Sequence, residues 1–161
     1  MTEGLEEDHR MSNKAASLVD QAKKWATNYG DFPNGAEGAA LTASLRVRAA
    51  WDDNDADAVA DMFAENGSLL LGDEQLNGRE RIRAYLTDWF AGAYKGVRMV
   101  DRPIDVRLLT DEVALAVTEG GLVLPGENEP VPHHKSRSTW VFVRSDGDWT
   151  IMSLQSSPIG S

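Results

Sequence analysis

The chain has 161 residues, no cysteine and a formal net charge of −10, from 26 acidic against 16 basic side chains. That length suffices for one domain with an adequate core, and 42% hydrophobic with 26% charged residues is a globular composition. The missing cysteines exclude disulfides, thiol catalysis and cysteine-ligated metals, and the negative field disfavours nucleic acid and anionic membrane surfaces.

Residues 1–11 are charged and lack an apolar run, so they predict a tail and not a secretory signal. No apolar run is long enough to span a membrane, and a cytoplasmic location is expected. Ser12 is an N-cap candidate for an amphipathic helix in which Ala15, Ala16, Leu18, Val19, Ala22, Trp25 and Ala26 recur at helical spacing. Gly30 and Pro33 end it. A second helix is predicted from about Ala36 to Asp53, with Leu41, Leu45, Ala49 and either Ala50 or Trp51 as its apolar stripe. A short third helix follows from about Ala56 to Ala64, with Val59, Met62 and Phe63 inward.

The run from Asp52 to Asp57 places carboxylates at alternate positions, as a calcium loop does. Counted from Asp53, however, the sixth position is Ala58 in place of glycine and the twelfth is Ala64 in place of glutamate. A solvated turn whose acids favour the next helix N-terminus is the better reading. Asn66-Gly67 then turns into a strand, Ser68 to Leu71. After Asn77-Gly78, Ile82, Tyr85, Leu86, Trp89 and Phe90 form a clear amphipathic stripe, closed by Gly92 and Gly96.

The remainder reads as strands over about 97–109, 112–124, 134–144 and 148–157, with Asp146-Gly147 as a two-residue hairpin turn. Helices first and long antiparallel strands afterwards is an α+β pattern, the helices on one face of the sheet. Counting back from a Ser145–Asp148 pair puts Arg144, Trp149, Phe142, Ile151, Trp140, Ser153, Ser138, Gln155, Ser136 and His134 on one face. The other carries Val143, Thr150, Val141, Met152, Thr139 and Leu154. Both faces are apolar in their middles, so one should cover the helices and the other meet a second copy of the chain or the first helix. The first face grades from bulky to small and polar, which suits an apolar pocket with a few orienting groups.

The runs Phe63-Ala64-Glu65-Asn66-Gly67-Ser68-Leu69, Leu76-Asn77-Gly78-Arg79-Glu80-Arg81-Ile82, Trp140-Val141-Phe142-Val143-Arg144, Gly147-Asp148-Trp149-Thr150-Ile151 and Gln155-Ser156-Ser157 resemble the NTF2-like superfamily. Within it they resemble the SnoaL-like branch that includes the SgcJ/EcaC proteins of enediyne polyketide biosynthesis. The resemblance covers about residues 36–158 as one domain, behind residues 1–35 as an acidic tail with an extra N-terminal helix. It implies a cone of curved antiparallel sheet wrapped around helices, an internal pocket and a homodimer. It also implies natural-product biosynthesis: binding an apolar polyketide or polyene intermediate or converting it by acid–base isomerisation, cyclisation or dehydration. A non-catalytic binder or an assembly partner of other biosynthetic enzymes stays open beside it.

For acid–base work the candidates are His134, which titrates near neutrality and faces the polar end, and Glu119, the one carboxylate late in an apolar strand. Trp51, Trp89, Phe90, Met99 and Trp140 are either core or cavity wall, and aromatic walls suit a flat or polyene ligand. Ser138, Ser153 and Gln155 are the expected polar contacts. Strand alternation sends His133 to the opposite face from His134, so the pair does not chelate and no metal is expected. No phosphate loop, dinucleotide fingerprint or serine-nucleophile elbow occurs, and no cofactor is implied.

Overall fold

The computed structural model describes residues 35–159. The acidic tail and the first expected helix lie outside the described residues. Helix α1 (Gly35–Asp52) is followed by α2 (Ala56–Asp61), β1 (Phe63–Leu71), β2 (Glu74–Asn77), α3 (Arg79–Ala91), β3 (Arg98–Thr110), β4 (Val113–Val123), a 3-10 turn (Pro132–His134), β5 (Lys135–Ser145) and β6 (Asp148–Pro158). The strands form one curved sheet in the order β2-β1-β6-β5-β4-β3. The β1–β6 pair is parallel and the other pairs are antiparallel.

The apolar stripes dictate what packs inside. On α1, Leu41, Leu45, Val47, Ala50 and Trp51 are buried, and on α3 the buried set is Ile82, Leu86 and Phe90. Of these, Val47, Ala50, Trp51, Ile82, Leu86 and Phe90 share one core cluster with Leu69, Ala114, Ala116, Trp140, Phe142, Ile151 and Leu154 of the sheet. The acidic run after α1 is structural. Asp55 caps α2 by accepting from the Ala58 amide at 3.0 Å. Asn54, in the left-handed region at φ 53, donates to the carbonyls of Trp51 and Val97 and accepts from the Gly96 amide. Asp52 accepts from the Met99 amide at 2.9 Å. These bonds fasten the end of α1 to the start of β3, which carries the carboxyl of Asp101 described below.

Two sequence expectations change. The third helix stops at Asp61, and Phe63 and Ala64 belong to β1. Phe63 pairs with Ile151 of β6, whose amide donates to the Met62 carbonyl at 2.9 Å, so a sheet ladder replaces the last helical turn. The second change is in the hairpin register. Pairing runs as counted from Ser145–Asp148 to Phe142–Ile151, but then resumes at Val141–Ser153, leaving Met152 as a bulge. Beyond the bulge Trp140 faces Leu154 and Ser138 faces Ser156. One extra residue sends every later β6 side chain to the opposite face. Leu154 is therefore core and only 2% exposed, while Ser153 and Gln155 leave the concave face.

Candidate functional site

A cavity of about 250 Å³ opens at the wide end of the sheet, bounded by the far ends of β1, β4 and β6 and the starts of β3 and β5. Its floor is apolar: Trp51 from α1, Leu69, Met99, Trp140 and Leu154. Ser136, Ser138 and Ser156 supply hydroxyls on one wall, and His133 and His134 stand at the rim. Of the residues expected in a pocket, Trp51, Met99, Ser138, Trp140 and His134 line this one. Trp89 and Phe90 form a second layer instead, edge-on to the Trp51 ring with centroids 5.4 and 5.5 Å away. Ser153 and Gln155 are outside it, displaced by the Met152 bulge.

Both histidines reach the rim, their ring centroids 4.2 Å apart. They belong to the 3-10 turn and not to β5, so the two-residue alternation that would have separated them does not apply. His134 Nδ1 and Trp51 Nε1 are buried with no hydrogen-bond partner among the described residues. Leaving such groups unpaired costs about 1–3 kcal/mol each, so each calls for a partner such as a water, an ion or a ligand.

Glu119 is corrected. In the part of β4 that leads up to it, Ala114, Ala116 and Thr118 are buried, so alternation turns Glu119 outward; the parity changes only after it, at Gly120-Gly121. Its carboxylate lies between Arg102 at 3.7 Å and Arg137 at 3.6 Å, one from each neighbouring strand. It borders a more open cleft beside β3 and does not line the apolar cavity.

Two carboxylates line the cavity: the exposed Asp73, and the half-buried Asp101, which sequence reasoning missed and which also borders the more open cleft. Asp101 stands on β3 two residues beyond Met99, hence on the same face, and that spacing was the available signal. Its cross-strand partner is Gly120. A Cβ on Gly120 would run into the Val100 carbonyl and the Asp101 Cα, so only glycine lets β3 approach this closely. At Gly121, φ is +152 and a Cβ would collide with the His134 carbonyl. The glycine pair thus seats both Asp101 and the histidine turn.

The protonation state of Asp101 follows from its neighbours. Burial raises its carboxyl from an ordinary 3.8 to about 6, opposed by the Thr118 hydroxyl and by the Arg48 charge. Trp140 Nε1 donates to Thr118 Oγ1 at 2.9 Å, and an indole nitrogen can only donate. The hydroxyl proton of Thr118 is therefore free to point at Asp101. The result is a carboxylate mostly ionised at neutral pH, yet basic enough to take a proton in an apolar cavity.

The same fold recurs in solved structures. A domain of unknown function with a cystatin-like fold from Nostoc punctiforme is 23% identical, with 80% of each chain covered and a TM-score of 0.71. An NTF2-like protein with a cystatin-like fold from Novosphingobium aromaticivorans is 21% identical, covering 74% of this chain and 79% of that one at a TM-score of 0.63. A ketosteroid isomerase-like protein from Erwinia carotovora atroseptica is 16% identical, covering 80% of this chain and 99% of that one at a TM-score of 0.60. These identities establish an NTF2-like, cystatin-like α+β fold and nothing finer. No curated protein matches the sequence. The SnoaL-like domain profile matches residues 42–160, which takes in all six strands and most of α1, and the chain belongs to the SnoaL-like domain family.

Proposed function

We propose that this protein binds an apolar small molecule bearing an acidic C–H group and moves a proton on it, with Asp101 as both base and acid. The observation that carries this reading is a half-buried carboxyl, raised to about 6, that lines an apolar cavity beside a hydroxyl held by Trp140. A group poised just below neutral pH accepts a proton from carbon and can return it elsewhere on the same molecule. Isomerisation, cyclisation and dehydration all begin this way. The description of one structural neighbour as ketosteroid isomerase-like agrees with such chemistry.

The substrate class we favour is a polyketide-derived polyene of natural-product biosynthesis, in particular an enediyne precursor. The support for it is the sequence resemblance to SgcJ/EcaC proteins, together with a floor built from Trp51 and Trp140. A second copy is proposed to cover the convex face, where Val141, Val143, Leu115 and Val117 are only half-buried. A monomer mass in light scattering would remove that proposal.

Crotonophenone, a conjugated ketone with exchangeable terminal methyl hydrogens, serves as the probe. Deuterium uptake from heavy water should be catalysed, with a rate rising through about pH 6 as Asp101 ionises. Asp101→Asn should slow it by at least about 100-fold. Equal rates in the two proteins would leave the pocket a binding role only.

A further inference from the structure

The concave face carries a row of three hydroxyls, and proton transfer at Asp101 uses only the first of them. Thr118, Ser138 and Ser156 stand opposite one another across β4, β5 and β6. The neighbouring row, Ala116, Trp140, Leu154 and Leu69, is wholly apolar. The wall therefore changes from hydrocarbon to hydroxyl within one two-residue step, about 7 Å along the strands.

Ser138 Oγ and Ser156 Oγ are 2.7 Å apart, and either can be the donor. Two hydroxyls bring two protons, and only one can lie between them. Neither oxygen makes another hydrogen bond among the described residues. The second proton is thus available to the cavity that both side chains line. Its donor already takes part in one hydrogen bond, which polarises it and strengthens the next.

We infer that the Ser138–Ser156 pair recognises a carbonyl oxygen of the substrate and stabilises the negative charge that oxygen acquires when a proton leaves carbon. This rests on the acid–base reading of Asp101. It also narrows the substrate. Asp101 on β3 and Ser138 on β5 are two strands apart, about 10 Å between backbones, with Thr118 between them. The acidic carbon and the oxygen therefore sit at opposite ends of a conjugated system. Asp101 takes the proton, and the C–H electron pair becomes a carbon–carbon double bond. The existing double bonds shift by one position, and the carbonyl π pair moves onto the oxygen held by the serine pair. Return of the proton from Asp101 to another carbon of the same dienolate yields the isomer with no co-reactant.

Crotonophenone and its oxygen-free counterpart phenylbutene test the assignment by binding. The wild type should prefer the ketone by about tenfold, the worth of one good neutral hydrogen bond. Ser138→Ala and Ser156→Ala should each keep most of that preference, because the remaining hydroxyl still has a proton to give. The double variant should lose it, and Ser138→Thr should retain it. Equal binding of the two probes to the wild type, or preference surviving in the double variant, overturns the serine assignment. Preference abolished by either single variant overturns the proton count behind it. Asp101→Asn should keep the preference while losing deuterium uptake, so the two readings fail separately. If neither probe binds, both fall.

Discussion

Asp101 and Glu119 are carboxylates on adjacent strands, one register step apart, since Asp101 faces Gly120 and Glu119 faces Arg102. Asp101 points into the cone, where burial raises its carboxyl to about 6 against the Thr118 hydroxyl and the Arg48 charge. Glu119 points out, between two arginines. The same functional group has its carboxyl raised toward neutrality on one face and forms a surface ion pair on the other. What separates them is the pleat, which alternates side chains between a dry and a wet face every residue.

The largest test of that separation is Gly120→Ala. The added methyl meets backbone and not a movable side chain, so β3 must shift. The expected cost is about 3 kcal/mol in chemical denaturation, with deuterium uptake lost because Asp101 moves with its strand. A fully stable, active variant would show that the close approach of β3 to β4 is not needed.

Asp101→Asn comes next, with Glu119→Gln as its outward counterpart. Folded Asp101 holds its proton more tightly than the unfolded chain does, about 6 against 3.8. Its ionisation therefore favours the unfolded state above the lower value. The penalty is absent below about pH 4, grows to about pH 6 and is then constant, reaching on the order of 3 kcal/mol. Asp101→Asn should accordingly stabilise the protein at pH 7 by up to that amount and make no difference at pH 3. A stability gain that does not fade in acid would mean that ionisation of Asp101 is not its source, and no gain at pH 7 would place the carboxyl in a solvated site.

Thr118→Val removes the hydroxyl that holds the Asp101 carboxyl down and strands Trp140 Nε1. The pH midpoint of deuterium uptake should move above about 6, with a stability loss of about 1–2 kcal/mol. An unmoved midpoint would mean that Thr118 only fills space. The smallest effect belongs to Glu119→Gln. Exposed ion pairs contribute about 0–1 kcal/mol, and neither deuterium uptake nor its pH profile should change.

The elements themselves were legible. The four long strands fall within a residue or two of their expected ends, because alternation and the Asp146-Gly147 turn are local signals. The stripe from Ile82 to Phe90 became α3 as expected. The short strand β2 is not among the expected strands, since Glu74–Asn77 alone carries no period and becomes a strand only by pairing with β1. Register points His134 and Ser138 toward a pocket and leaves Trp51, Met99 and Trp140 as either core or cavity wall; all five line the cavity.

Two local irregularities escaped that counting. The Met152 bulge exchanged Ser153 and Gln155 for Leu154 and Ser156, and the 3-10 turn brought His133 to the same rim as His134. Neither leaves a periodic trace. The composition and hydropathy pattern by themselves determined an α+β domain with a sheet apolar on both faces. Which carboxylate became buried, and which serines met across β5 and β6, was decided only by tertiary structure. Both depend on strand register and on the close packing that Gly120 permits, and register is an agreement between segments distant in the chain.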